Sequence, residues 1–235
     1  SVDIPSLYKK NDVIGLEEEL MPFSVTQVFK EFWEKESGWR NYLLHEGDLD
    51  VKCGEWKRTD IQRIPEDSCK LPFHFTRLCT YAHPRTTMLM FGPKNAPATM
   101  NQYLCICEGS TSNPAKFIVV SVTQFVGIPM TEMFKVVQYW CHERSDNDVQ
   151  KTIVRLGLRV FFIKHTMFRS QILSGTKEEV GMGAKKWCKY MSNLLPASKE
   201  SLGTSSSSRS VHAIEAADDD VQSVRSRRGS GAGQE

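Results

Sequence analysis

No stretch of this chain approaches the roughly 18 consecutive apolar residues of a membrane-spanning helix, and its amino terminus lacks a signal-peptide pattern. Charge of one sign is also missing. The formal net charge is +2, with bases and acids matched nearly everywhere, which removes nucleic acid as an expected partner. The seven cysteines (Cys53, Cys69, Cys79, Cys105, Cys107, Cys141 and Cys188) include no CxxC pair, and no HxxxH pair accompanies them. Their odd number and scattered spacing fit a reducing compartment better than a disulfide framework. Cys105 and Cys107 would share one face of a strand and Cys141 precedes His142, but zinc needs four converging ligands, so buried structural cysteines and no metal are expected. There is no glycine-rich phosphate loop and no nucleophile elbow. His74, His83, His142 and His165 fall on separate segments, so no catalytic residue is assigned and an enzyme is not expected.

What is present is a chain of 235 residues with 40% hydrophobic content, long enough to bury a sizeable core. It begins at Ser1 rather than Met and is read as a segment of a longer protein. Composition changes near Pro196. Apolar periodicity is nearly continuous before it, whereas residues 197–235 carry a serine run, an acidic triplet and the basic "RSRRGSGAG" with few large apolar side chains. Such a tail cannot offset the entropy of folding. The expected organisation is therefore one domain over 1–196 and a disordered Ser/Arg-rich tail over 197–235.

Within the domain, "DVIGLEEELMPFS" reads as a strand whose acidic run Glu17 to Glu19 is solvated. "SVTQVFKEFWEK" reads as a helix capped by Ser24 with the stripe Val28, Phe29, Phe32 and Trp33. "GWRNYLLHE" predicts a second short helix. Six segments of about 9 to 13 residues follow, from "DVKCGEWKR" to "KTIVRLGLRVFFIKH", rich in Val, Ile, Phe, Tyr and Thr and separated by turn residues. They predict an antiparallel meander with one solvated and one buried face. Arg155 and Arg159 alternate with Val154, Leu156, Leu158, Val160 and Phe162, while Lys135 opposes Phe134, Val136, Gln138 and Trp140. From Thr166 to Leu195 the apolar residues recur at helical spacing, enough for roughly 40 Å of helix across a curved sheet. The pattern is α+β, helices first, then a curved antiparallel sheet gripping a long C-terminal helix. Periodicity leaves two interiors open, a filled core or a lined cavity.

One run breaks the pattern. "TTMLMFGPKNAP" carries Met88, Leu89, Met90 and Phe91 straight into a Gly-Pro-Lys turn, where water is the usual neighbour. That run, within "RLCTYAHPRTTMLMFGPKNAPATMNQ", is followed by "VGIPMTEMFKVVQYW" and "LRVFFIKHTMFRSQILSGTKEEV". In this order, and with Trp56 of "GEWKR", the series resembles the VASt domain of the GRAM-domain Lam and Aster sterol transporters over nearly all of residues 10–195.

The resemblance implies a StART-like helix-grip fold with an internal cavity for one lipid, usually a sterol, and no other cofactor. It implies that Met88, Leu89, Met90, Phe91, Gly92, Pro93 and Lys94 form a lid loop at a membrane-facing entrance. This loop is bulkier and richer in Met than the family's usual one. The residues expected to line the cavity are Phe134, Val136, Gln138, Trp140, Leu156, Leu158, Val160, Phe162, Phe168 and Ile172. Gln102, Gln124, Gln138 and Ser121 are candidates to meet the lipid's polar end. The implied activity is non-catalytic transfer of a sterol or similar lipid between membranes by a monomeric domain that touches the bilayer transiently, anionic headgroups included. The implied place is the cytosolic face of endoplasmic reticulum contact sites, with this segment itself soluble. The alternative is a protein-interaction or signalling module with a filled or non-sterol-binding core.

Overall fold

In a computed structural model the described residues are 13–66, 70–84, 94–127 and 130–195. The run from Met88 to Pro93 and the tail from residue 197 lie outside them. Strand β1 (Ile14–Met21) leads to Ser24, which caps helix α1 (Val25–Val28). The Ser24 hydroxyl accepts from the Gln27 amide at 3.3 Å, and Gln27 Oε1 accepts from the Ser24 amide at 2.9 Å. The helix continues as a π-helical turn, Phe29–Trp33, which turns Phe29, Phe32 and Trp33 all into the core. Helix α2 (Glu36–His45) then folds back so tightly that a Cβ on Gly38 would sit 1.9 Å from the Phe32 carbonyl oxygen.

The strands that follow are β2 (Leu49–Cys53), β3 (Lys57–Arg58), β4 (Phe75–Pro84), β5 (Asn95–Ser110), β6 (Asn113–Phe125), β7 (Phe134–Arg144) and β8 (Thr152–Phe162). They form one sheet in the order β1-β8-β7-β6-β5-β4-β2, with β3 also paired to β4, and every pairing is antiparallel. The β5–β6 hairpin turns at Gly109, whose φ of +87° and close approach to the Asn113 carbonyl exclude a side chain. Helix α3 (Arg169–Leu194) runs for 26 residues, about 39 Å, and its backbone lies nearest β1 and β8. The expected α+β architecture, a large antiparallel sheet holding a C-terminal helix, is the observed one.

The outer face of the sheet is covered at its centre rather than solvated throughout, contrary to the expectation from Lys135 and Arg155. Ile64, Leu71 and Phe73, from the segment between β3 and β4, cover Cys105, Ile118, Val120, Val122, Val137, Tyr139 and Cys141. The reason is legible in β6, where "FIVVSV" is apolar on both alternating sides and so needs cover on both. Arg155 does face outward, where it bonds Glu18 and Glu143. The single strand expected over "DVKCGEWKR" breaks at Gly54 into β2 and β3, leaving Trp56 free to donate its indole N–H to the Trp33 carbonyl at 2.7 Å.

Candidate functional site

The inner face of the sheet divides into two unlike halves under α3. Beneath the C-terminal half of the helix the space is packed with aromatic rings. Trp187 stands 5.1 Å from Trp140 and 5.3 Å from Phe32, and His142 stacks on Phe117 at 4.4 Å. His142 has no solvent exposure and accepts the Trp33 indole N–H through Nε2 at 3.0 Å. Burial lowers its pKa to about 3, so the ring is a neutral acceptor. Trp140 and Leu156, expected to line a cavity, belong to this packed half. Their strand positions face inward as expected, but the bulk of Trp33, Trp39 and Trp187 fills the space they look into.

Beneath the N-terminal half of the helix the packing is apolar and looser. Val136, Leu158 and Val160 form the floor. Phe125, Phe134, Phe162, Ile172, Leu173 and Val180 surround them, each only partly buried. Antiparallel register brings Val136 opposite Val160 and Phe134 opposite Phe162. Phe168 departs from its expected place. It is 43% exposed, one residue ahead of the first helical turn, because the Phe168 amide is held in a turn by the Thr166 hydroxyl and α3 starts only at Arg169.

Between the two halves a row of polar side chains crosses the strands in register: Arg77, Gln102, Ser121 and Gln138, ending at Leu158. Arg77 Nε donates to Gln102 Oε1 at 2.7 Å, and Gln102 Nε2 donates to Ser121 Oγ at 3.3 Å. Arg77 is 3% exposed, with its guanidinium 4.2 Å from the Trp56 ring centroid, and burial lowers its pKa. Its Nη1 reaches only long contacts, 3.5 Å, to the carbonyls of Trp33 and Lys35. Its Nη2 has no hydrogen-bond partner among the described residues, and neither do the indole N–H groups of Trp39, Trp140 and Trp187 in the adjoining half. Buried donors without acceptors are costly, and of these four the Arg77 group is the one that belongs to the row itself. Gln138 is the half-buried member of the row. Gln124 plays another part, for its amide donates to the carbonyls of Thr131 and Phe134 and shapes the β6–β7 connection.

The open half faces the end of the sheet where β4, β6 and β8 finish and β5, β7 and α3 begin. Of the expected lid residues Lys94 is described, exposed just before β5. At this end His83 links three elements. Its Nδ1 lies 2.7 Å from Asp48 Oδ1, in the turn between α2 and β2, and its Nε2 lies 3.5 Å from Glu179 Oε1 on α3. Bonds to Asp48 and then Glu179 raise the His83 pKa to about 9, so the imidazolium clamps the helix to the sheet edge. Sequence reading missed this clamp. Its one signal was His83 sharing an inward-facing parity with Arg77 and Tyr81, and Asp48 gave none.

A groove of about 310 Å³ lies elsewhere, between β1 and the C-terminal half of α3, rimmed by Glu19, Lys185 and Lys189 over Leu20, Met21 and Cys188. No residue of the polar row lines it. Among the described residues no group of three or more His, Cys, Asp or Glu side chains could hold a metal ion, and no helix is long and apolar enough to cross a membrane.

The family model for the VAD1 Analog of StAR-related lipid transfer domain (VASt) matches residues 15–179, from β1 through the clamp residue Glu179. No curated protein matches the sequence. Among solved structures, the chain is similar to a putative uncharacterized protein from Rhizobium leguminosarum. The two are 12% identical, with a TM-score of 0.39, over 77% of this chain and 97% of that one.

Proposed function

The chain belongs to the VASt family, whose model spans 165 of its 235 residues, and from that premise we propose that it carries one membrane lipid of sterol type between bilayers without chemistry. The lipid lies between the sheet and the N-terminal half of α3, over Val136, Leu158 and Val160. The observation that carries this reading is the division of the inner face. An apolar, partly buried half lies toward the loop end and is bounded at its inner end by the polar row of Gln138, Ser121 and Gln102.

A rigid apolar body with a single hydroxyl matches those two parts. Its body gains about 2.5 kcal/mol per 100 Å² of apolar surface removed from water. Its hydroxyl meets the row of Gln138, Ser121 and Gln102, with no charged contact needed. The segment Met88 to Lys94 serves as the lid, with Lys94 beside anionic headgroups. The domain then works at the cytosolic face of membranes, at endoplasmic reticulum contact sites, as its family resemblance implies.

The test is saturable binding of a fluorescent sterol together with sterol transfer between liposomes. Val160→Trp, which fills the floor, is expected to abolish both. Gln138→Leu is expected to weaken binding roughly threefold to tenfold, the worth of one hydrogen bond. Absence of both saturable binding and transfer in the unmodified chain would refute the carrier and leave an interaction module.

A further inference from the structure

At the loop end, large apolar side chains are presented to solvent by two loops that touch each other. Val126, 56% exposed, follows β6, while Ile163 (45%), Met167 (83%) and Phe168 (43%) lie between β8 and α3. The amides of Ile163 and Lys164 both donate to the Met133 carbonyl, at 2.7 and 3.2 Å, so the two loops are joined by hydrogen bonds. A single exposed apolar residue is ordinary, but consecutive Met167 and Phe168 beside Ile163 form a cluster with no internal use.

The charges interleaved with this cluster are mostly of one sign. Lys94, Lys164 and Arg169 are basic, and Glu132 is the acid among the described residues of these loops. Arg169 lies over the Phe162 ring at 4.3 Å, at the rim of the open half. Neither Lys94 nor Lys164 has an ion-pair partner among the described residues. Exposed Met and Phe flanked by unpaired cations fit the boundary between acyl chains and anionic headgroups.

We propose that the β8–α3 turn, Ile163 to Arg169, is a membrane-docking element in its own right, separate from the lid loop. Met167 and Phe168 enter the acyl region of an anionic bilayer, and Lys164 and Arg169 meet its phosphates. Docking there presses the mouth of the open half against the bilayer, so a lipid passes to the Val136 and Val160 floor without crossing water. The purpose of the docking rests on the lipid-carrier reading, whereas the docking itself does not.

The experiment is flotation of the full chain with vesicles of phosphatidylcholine alone and of phosphatidylcholine with phosphatidylserine, with fluorescent-sterol binding read in parallel. The unmodified chain is expected to float with the anionic vesicles and to be released by salt. Met167→Asp with Phe168→Asp should lower vesicle partition by about tenfold or more, since two apolar side chains lose their burial. Met167→Asp alone, at a site 83% exposed and outside the helix, guards against a folding defect. Lys164→Ala should lower partition severalfold on anionic vesicles only. Sterol binding retained while flotation is lost supports the proposal. Flotation unchanged in the double variant, or equal on neutral and anionic vesicles, overturns it. Flotation that depends on Met167 and Phe168 without any sterol binding would instead refute the carrier reading and leave the docking element standing.

Discussion

Replacing His83 by Gln keeps a donor for Asp48 but removes the charge, and this should change how stability depends on pH. In the folded chain the imidazole pKa is held up to about 9 by Asp48 and then Glu179, against about 6.5 when unfolded. Below about pH 6.5 both states carry the proton and the clamp contributes in full. As pH rises through about 9 the folded chain releases the proton and the contribution is lost. The gap between the two values sets a ceiling of about 3.4 kcal/mol, at about 1.36 kcal/mol per pH unit. The partners reduce that figure. Asp48 is 2% exposed and its bond is short, but the ring is 31% exposed and Glu179 is 56% exposed at 3.5 Å, a pair worth little in water. We expect about 1.5–2 kcal/mol. Urea unfolding of the native chain and His83→Gln at a series of pH values from 6 to about 9.5 would measure it. The native chain should lose that much more stability than the variant across the window. Parallel curves would refute the clamp. With Glu179→Gln the cost to stability should stay below about 1 kcal/mol, because only the exposed link is cut, while sterol exchange should quicken as the open end of α3 is released.

His142 should act on the acid side. With a folded pKa near 3, its stabilising effect is complete above about pH 6.5 and is lost as pH falls toward 3, by up to about 2.7 kcal/mol at about pH 4.5. Calorimetric melting of His142→Phe should show a flatter acid limb, on a baseline lowered by about 1–3 kcal/mol because the Trp33 N–H loses its acceptor. An unchanged acid limb would mean that His142 does not govern it. Gly38→Ala places a methyl against backbone that cannot move aside, and a loss of roughly 3 kcal/mol or more is expected, read as failure to accumulate folded protein or a large fall in Tm.

The chain order of strands and helices, the cap at Ser24 and the inward parity of Val136, Val160 and Phe162 were legible in residue order alone. Each depends on neighbours a few positions apart, through the two-residue period of a strand or the 3.6-residue period of a helix. The outer cover from Ile64 to Phe73 was half legible, since β6 is apolar on both sides, but nothing local says which segment crosses to cover it. The separation of Trp140 and Leu156 from Val136 and Val160 was not legible. All four point inward from neighbouring strands, and only the arrival of Trp33 and Trp187 from distant segments fills one end of the grip. The same holds for the row of Arg77, Gln102, Ser121 and Gln138, which exists only through the register of four strands. It holds too for His83, Asp48 and Glu179, up to 131 positions apart in sequence. By itself the sequence determined the family, the kinds of element and the face each side chain takes. The tertiary structure decided which half of that face is filled, where unpaired donors meet it and which loops show apolar surface, because burial and polar satisfaction depend on what packs opposite, and no local period carries that.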